Sequence, residues 1–494
     1  MSATIPANAW VSLALLGVTL VGAFLLSLRA RGAQSLEQWS IASRGLGSVL
    51  IFMLMAGEIY TTFTFLGGSG WAYSRGAPAY YIIGYAAVGY SCSYWLLPAI
   101  WRRGVQWQVL SQPEYYRHAY RSPWLGHFVA LIGTGALMPY LVLQLKGLGI
   151  IVAESSYGMI GADLAISIGT VATVVYVILS GVRGSAFTAA LKDALVLATV
   201  LGLAFALPHS LHGGIGPMFD TLIAQRPDFF VLPERGLSGS WFSSTILMTV
   251  FGFWMWPHTF GSTFTARSDQ SFRRNAVLMP LYQVILLCVL FIGFAAINAV
   301  PGLQGTDVDL ALLRVTKQVY GPWVVGLVGA AGLLTALVPG SLIMMTTATI
   351  LARLLQATPL GSNINEVRAA RLLVVLVAVT ALIFVFRGGQ TLVTLLLFAY
   401  AIVTQLFPSL LISLWRPERA NALAAFAGIT TGVSIVAWTN FSGITVASAF
   451  PALPPAILDI NVGVLALLAN VLVHAMITVL APRATGAPTL TAGT

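Results

Sequence analysis

Residues 46–70 read LGSVLIFMLMAGEIYTTFTFLGGSG, an apolar run long enough to cross a bilayer with a carboxylic acid in its middle. An ionisable side chain at that depth costs roughly 2.5–3.5 kcal/mol on insertion scales, so Glu58 requires something that offsets it. Gly57, Gly67, Gly68 and Gly70 surround it and loosen the helix. Irregular backbone at membrane depth survives only where it is buried in protein or lines a cavity. The stretch therefore predicts a membrane helix broken near its midpoint beside an internal cavity. Thr61, Thr62 and Phe65 follow Glu58 at helical spacings of three, four and seven, and with it form the first candidate binding face.

The rest of the chain is of the same kind. Apolar residues make up 58% of the 494 and charged residues 8%, against about 25% charged in a soluble domain, so no water-soluble surface can be assembled. Apolar segments fall near 10–28, 46–70, 79–101, 126–151, 163–181, 186–207, 243–264, 276–299, 321–355, 370–387, 390–414, 421–440 and 460–481. The expectation is an all-α integral membrane protein of about thirteen transmembrane helices forming one membrane transport domain over 1–494. The first segment has no basic stretch ahead of it and reads as a membrane helix, not a cleaved signal.

The net charge of +10 sets topology and does not imply nucleic acid. Seventeen of the 25 Lys and Arg residues lie in the loops on one side and six on the other. This bias predicts an N-terminus outside and a C-terminus in the cytoplasm of a plasma (inner) membrane. The expected partners are the lipid bilayer and a small-molecule substrate. Cys92 and Cys288 lie inside apolar spans, where thiols behave as small hydrophobes. No GxxxxGK[ST] sequence occurs, which excludes this route to ATP-driven pumping. No nucleophile–base pairing points to an enzyme, and no filter-like charge pattern points to a channel.

A second interrupted span lies at 243–264, with Gly252, Trp254, Trp256, Pro257, His258 and Gly261. Five helices separate its start from that of the first. The spacing fits two inverted repeats, 46–207 and 243–414, with flanking helices at 1–28, 421–440 and 460–481 and a flexible tail at 482–494. Paired interrupted spans point to a transporter binding site near the midplane. Trp254 and Trp256 are candidate apolar walls, and Pro257 with His258 a candidate donor or proton carrier. The two remaining cations, Lys146 and Lys192, fall within predicted helices. Lys146 shares a span with Gln144 but cannot share its face, two residues being nearly opposite on a helix. It is a candidate for contacting an anionic substrate or Glu58. Tyr140, Gln144 and Gly147 form the other face.

The stretch Ser43-Arg44-Gly45-Leu46-Gly47 with the Gly-broken helix ending Phe65-Leu66-Gly67-Gly68-Ser69-Gly70-Trp71-Ala72-Tyr73 resembles the sodium/solute symporter family. So do Ser180-Gly181-Val182-Arg183-Gly184 leading to Thr188, Pro257-His258 followed by Ala266-Arg267-Ser268, and the segment Ala336 to Ala352. Gly57-Glu58-Ile59-Tyr60-Thr61-Thr62 with Trp256-Pro257-His258 and Val338-Pro339-Gly340-Ser341 look most like its monocarboxylate permease branch.

The resemblance implies a LeuT-like core of five plus five helices, alternating access, and no cofactor other than a coupling ion, sodium or proton. It implies one sodium site, carried by position onto Gly57, Tyr60, Ala336, Pro339 and Gly340, with Ser341 nearby. The sequence departs from the pattern at this site. Pro339 and Gly340 stand where the family has hydroxyls, Ala189 where it has an Asp, and Lys192 where it has a Gln. Lys192 is accordingly a candidate replacement for sodium, with Lys192 or Glu58 changing protonation. The alternatives for Lys192 are a pair with Asp193 and a side chain snorkelling to the interface. The alternatives for the substrate are a monocarboxylate, an amino acid or other zwitterion, or a neutral solute. The rival from another class is a transporter-like membrane sensor.

Overall fold

The computed structural model describes residues 7–28, 35–358 and 364–480. Arg29, Arg31 and Arg483 of the charge count and the tail from 482 lie outside the described residues. Within them the chain is helical throughout. Nine helices are long and apolar enough to cross a membrane, or ten if the bent pair Ser48–Ile59 and Phe63–Arg75 is one crossing.

This tally differs from thirteen for identifiable reasons. Ala162–His212 runs for 51 residues and takes in two of the expected segments, 163–181 and 186–207. It kinks at Gly181, where φ is 60° and ψ −169°. That backbone favours glycine, and a Cβ here would also meet the Trp39 carbonyl oxygen at 2.9 Å. The expected segments 79–101 and 243–264 fall on Tyr81–Gln106 and on Gly239–Phe253 with Pro257–Thr263. None of these three is among the nine; the last two are the halves of a broken helix.

Burial ranks the helices by depth. The apolar window of Pro322–Gln356 is 94% buried, whereas Ala9–Leu28 is 22% buried and both Ala422–Ser442 and Val462–Leu480 are 33% buried. The first is the central axis and the other three lie at the periphery. The two broken helices are tied at the backbone, Leu46 N donating to Thr265 O at 3.0 Å and Arg267 N to Leu46 O at 2.9 Å. The start of the first therefore lies beside the end of the second, as inverted repeats require.

Candidate functional site

The helix Ser48–Ile59 stops at Tyr60, whose φ and ψ are −82° and 83°. The chain resumes in a π-helical turn, Phe63–Gly67, and then in Gly68–Arg75. The two halves are bent by 50°. Threonine side chains take over the hydrogen bonds that the helix gives up. Thr64 Oγ1 accepts from Thr61 N at 3.0 Å and donates to Ile59 O at 2.9 Å, while Thr61 Oγ1 accepts from Phe63 N at 3.2 Å. Thr62 is held from a neighbouring helix: Gln144 Oε1 accepts its hydroxyl at 2.8 Å and its backbone N–H at 3.4 Å.

The unwinding releases the carbonyls of Gly57 and Tyr60, and the ammonium of Lys192 takes them. Lys192 Nζ donates to Gly57 O at 2.7 Å and to Tyr60 O at 2.9 Å. It also pairs with Asp193 Oδ1 at 3.2 Å, so the pairing alternative holds at the same time. Lys192 is wholly buried, which excludes snorkelling. On the opposite helix Ala336, Pro339, Gly340 and Ser341 are buried. The Ser341 hydroxyl donates to Val338 O at 2.6 Å and lies 3.0 Å from Ser185 Oγ. This donor set does not fit sodium, because the carbonyls already hold a cation and Pro339 and Gly340 carry no side-chain oxygen.

The second break lies at Trp254–Trp256, between Gly239–Phe253 and Pro257–Thr263. Its freed carbonyls are also satisfied: Gln112 Nε2 donates to Met255 O at 2.8 Å and Thr259 Oγ1 to Trp256 O at 3.0 Å. Ser262, one turn on from His258, donates to His258 O at 2.8 Å and lies 2.5 Å from Glu58 Oε1. The two breaks therefore meet through Glu58 and Ser262.

Between them lies a narrow cavity bordered by Glu58, Thr61, Trp256 and His258. Six further aromatic rings line it with Trp256: Phe63, and five that join Trp256 in a belt of consecutive contacts. Centroid distances follow the belt from Tyr140 to Trp256 (4.8 Å), Tyr400 (5.0 Å), Tyr85 (5.8 Å), Phe253 (6.1 Å) and Tyr90 (4.9 Å). His258 also borders a second crevice, shared with Pro257 and Ser262.

Other sequence candidates lie elsewhere. Thr62 and Gln144 bind each other and do not border the cavity. Phe65 departs from the Glu58 face because the break and π turn shift the helical register, and it packs against Gly332. Trp254 is not a cavity wall; its indole N–H donates to Gly89 O at 2.8 Å. Lys146 reaches neither Glu58 nor the cavity, its Nζ donating to Gln390 O at 2.5 Å. Sequence reasoning missed Ser262, Tyr85, Tyr90, Phe253 and Tyr400. The available signal was polar-tipped rings inside apolar spans, since a buried phenol needs a partner.

Outside the crossings, Asp309 Oδ2 accepts from Leu392 N at 3.1 Å. Burial pushes its carboxyl up to about 6, an effect partly opposed by that hydrogen bond and by Lys146.

Comparison with known proteins agrees with this geometry. The Bacillus subtilis (strain 168) protein named "Uncharacterized symporter YhjB" is 49% identical over 475 residues, 95% of this chain and 97% of its own. The "Monocarboxylate transport permease protein" of Rhizobium johnstonii (strain DSM 114642 / LMG 32736 / 3841) is 25% identical over 460 residues, 90% of this chain and 91% of its own. A Na+-coupled sialic acid symporter, solved in its substrate-bound outward-open state, superposes with a TM-score of 0.76 at 16% identity, covering 96% of this chain and 98% of its own. The fold is thus the LeuT-like inverted-repeat fold. With the sodium:solute symporter family matching residues 39–432, a bilayer-spanning helical core and two broken helices meeting at its centre, the chain belongs to that family.

Proposed function

We propose that this protein imports a small organic solute by alternating access, coupled to protons and not to sodium, with Lys192 standing in the place of the sodium ion. The supporting observation is the Lys192 ammonium 2.7 Å from Gly57 O and 2.9 Å from Tyr60 O. Family membership makes sodium the default ion. Lys192, together with Ala189, Pro339 and Gly340, is the reason to depart from it. A protonated Lys192 bridges the break in the first broken helix to the helix Ala162–His212. Loss of its proton leaves a neutral amine, whose hydrogen bonds to the two carbonyls lose their charge assistance, and so loosens that seam, as a leaving sodium ion would. Glu58, bonded across to Ser262, is the second group able to carry the coupling proton.

A monocarboxylate is supported as substrate by the name of the Rhizobium relative and by charge, since one proton with one carboxylate crosses without net charge. A zwitterion such as an amino acid is the second reading, favoured by a cavity whose wall holds Glu58 and no Lys or Arg. The excess of Lys and Arg in the loops of one side supports an N-terminus outside and a C-terminus in the cytoplasm.

The test is uptake into proteoliposomes, driven separately by a sodium gradient and by an inwardly acid pH gradient. Uptake that persists without sodium and follows the pH gradient is expected. Strict sodium dependence with no response to pH would overturn the reading. Glu58→Gln is expected to abolish coupled uptake.

A further inference from the structure

The belt of rings around Glu58 bears on which chemical class the cavity selects, and the inference rests on the transporter reading above. Among the described residues Glu58 is the only carboxyl on the wall and His258 the only imidazole. One carboxyl oxygen, Oε1, meets the Ser262 hydroxyl; among the described residues Oε2 has no hydrogen-bonding partner. Neither lysine borders the cavity or bonds to Glu58: Lys146 donates to Gln390 O, while Lys192, near enough for its charge to act on Glu58, donates to Gly57 O and Tyr60 O and pairs with Asp193. Six aromatic rings in sequential contact enclose the same space. Ring faces carry partial negative charge and attract a desolvated cation, most strongly at Trp. A carboxylate entering alone would meet Glu58, aromatic rings, the His258 imidazole and threonine hydroxyls, but no guanidinium or ammonium.

We infer that the substrate carries an ammonium group, as an amine or as the positive end of a zwitterion, held by Glu58 within the aromatic belt. Glu58, ionised, then supplies the charge and Trp256 and Tyr400 the cage, which for such a substrate leaves the coupling proton to Lys192. Ile59 and Leu396, which also border the cavity, suit an apolar carbon skeleton.

The experiment is a thermal-shift titration of the purified full-length protein with four kinds of probe. These are choline and glycine betaine, L-proline, the uncharged carbon isostere of choline (3,3-dimethylbutan-1-ol), and propionate. At least one ammonium probe is expected to raise the melting temperature, while the isostere and propionate do not. Tyr400→Phe keeps the ring and is expected to keep the response, whereas Tyr400→Leu weakens apparent affinity roughly tenfold. Glu58→Gln is expected to remove the response; if that variant does not fold, the Tyr400 pair carries the test. A response to propionate or to the isostere equal to that of the ammonium probes overturns the inference. So does the absence of any ammonium response, or equal affinity in Tyr400→Phe and Tyr400→Leu. Sodium-dependent uptake of an ammonium-bearing solute would sink the coupling proposal and leave this inference standing; proton-driven uptake of a simple carboxylate would do the reverse.

Discussion

The ammonium nitrogen of Lys192 lies 2.7 Å from the carbonyl oxygen of Gly57, joining residues 135 positions apart. The contact exists because the backbone turns away at Tyr60. Thr61 N, which in an unbroken helix would bond to Gly57 O, instead reaches Thr64 Oγ1 and Ile59 O. A structural lysine and a coupling lysine differ in what happens when the whole ion pair is removed.

Lys192→Met leaves Asp193 buried without its charge partner, and breaking such a pair costs about 3–5 kcal/mol. The variant should melt lower and fail to transport. Lys192→Met with Asp193→Leu should regain most of the stability, since apolar replacement of a whole buried pair is often neutral or better, but not the uptake. Melting curves and proteoliposome uptake on both variants check this. Recovered transport in the double variant would reduce the lysine to a structural element.

Gln144 is the partner that Thr62 finds after the helix ladder is interrupted. Gln144→Leu strips the buried hydroxyl and amide of their acceptor, at a cost of about 1–3 kcal/mol. The expected outcome is a lower melting temperature with reduced uptake, although Gln144 does not touch the cavity.

Gly147 lies against the same threonine. A Cβ there would meet Thr62 Cβ at 2.5 Å, whereas one on Gly135 of the same helix would meet nothing within 4 Å. Gly147→Ala should destabilise by about 1–3 kcal/mol through overpacking and impair transport, while Gly135→Ala leaves both unchanged. Equal behaviour of the two variants would contradict the packing described.

Asp309 gives a pH signature outside the membrane. Its folded carboxyl is pushed up to about 6 from an ordinary 3.8, so ionising it opposes folding. The stability it contributes is complete below the ordinary carboxylate range and is lost as pH rises through about 6. Wild-type melting temperature should fall between about pH 4 and 6 by more than that of Asp309→Asn, whose amide oxygen can still accept from Leu392 N. Parallel curves for the two proteins would refute the assignment.

Both breaks could be read from the sequence because they are written in residues a membrane helix tolerates poorly, Glu58 among glycines and Pro257 beside His258. Lys192 stood out for the same reason, a charge in an apolar run. Neighbours across helices were not legible in the same way. Lys146 and Gln144 were rightly set on different faces by their spacing, but spacing carries no information on which face looks inward, and Lys146 turned out to reach Gln390. Phe65 was assigned by a regular helical period that the π turn had altered. The belt was hidden because Tyr85, Tyr90 and Tyr400 come from separate spans and each alone reads as packing. The segments 163–181 and 186–207 were legible as two, since the non-helical backbone at Gly181 separates two helices inside the run Ala162–His212.

A counter-ion borne on the polypeptide does not exchange with the medium. Its local concentration at the Gly57 and Tyr60 oxygens is fixed by the reach of one side chain, so the seam would be as fully occupied in fresh water as in brine. If Lys192 does replace sodium, uptake would not depend on the salt outside, at the expense of a grip released only by moving a proton.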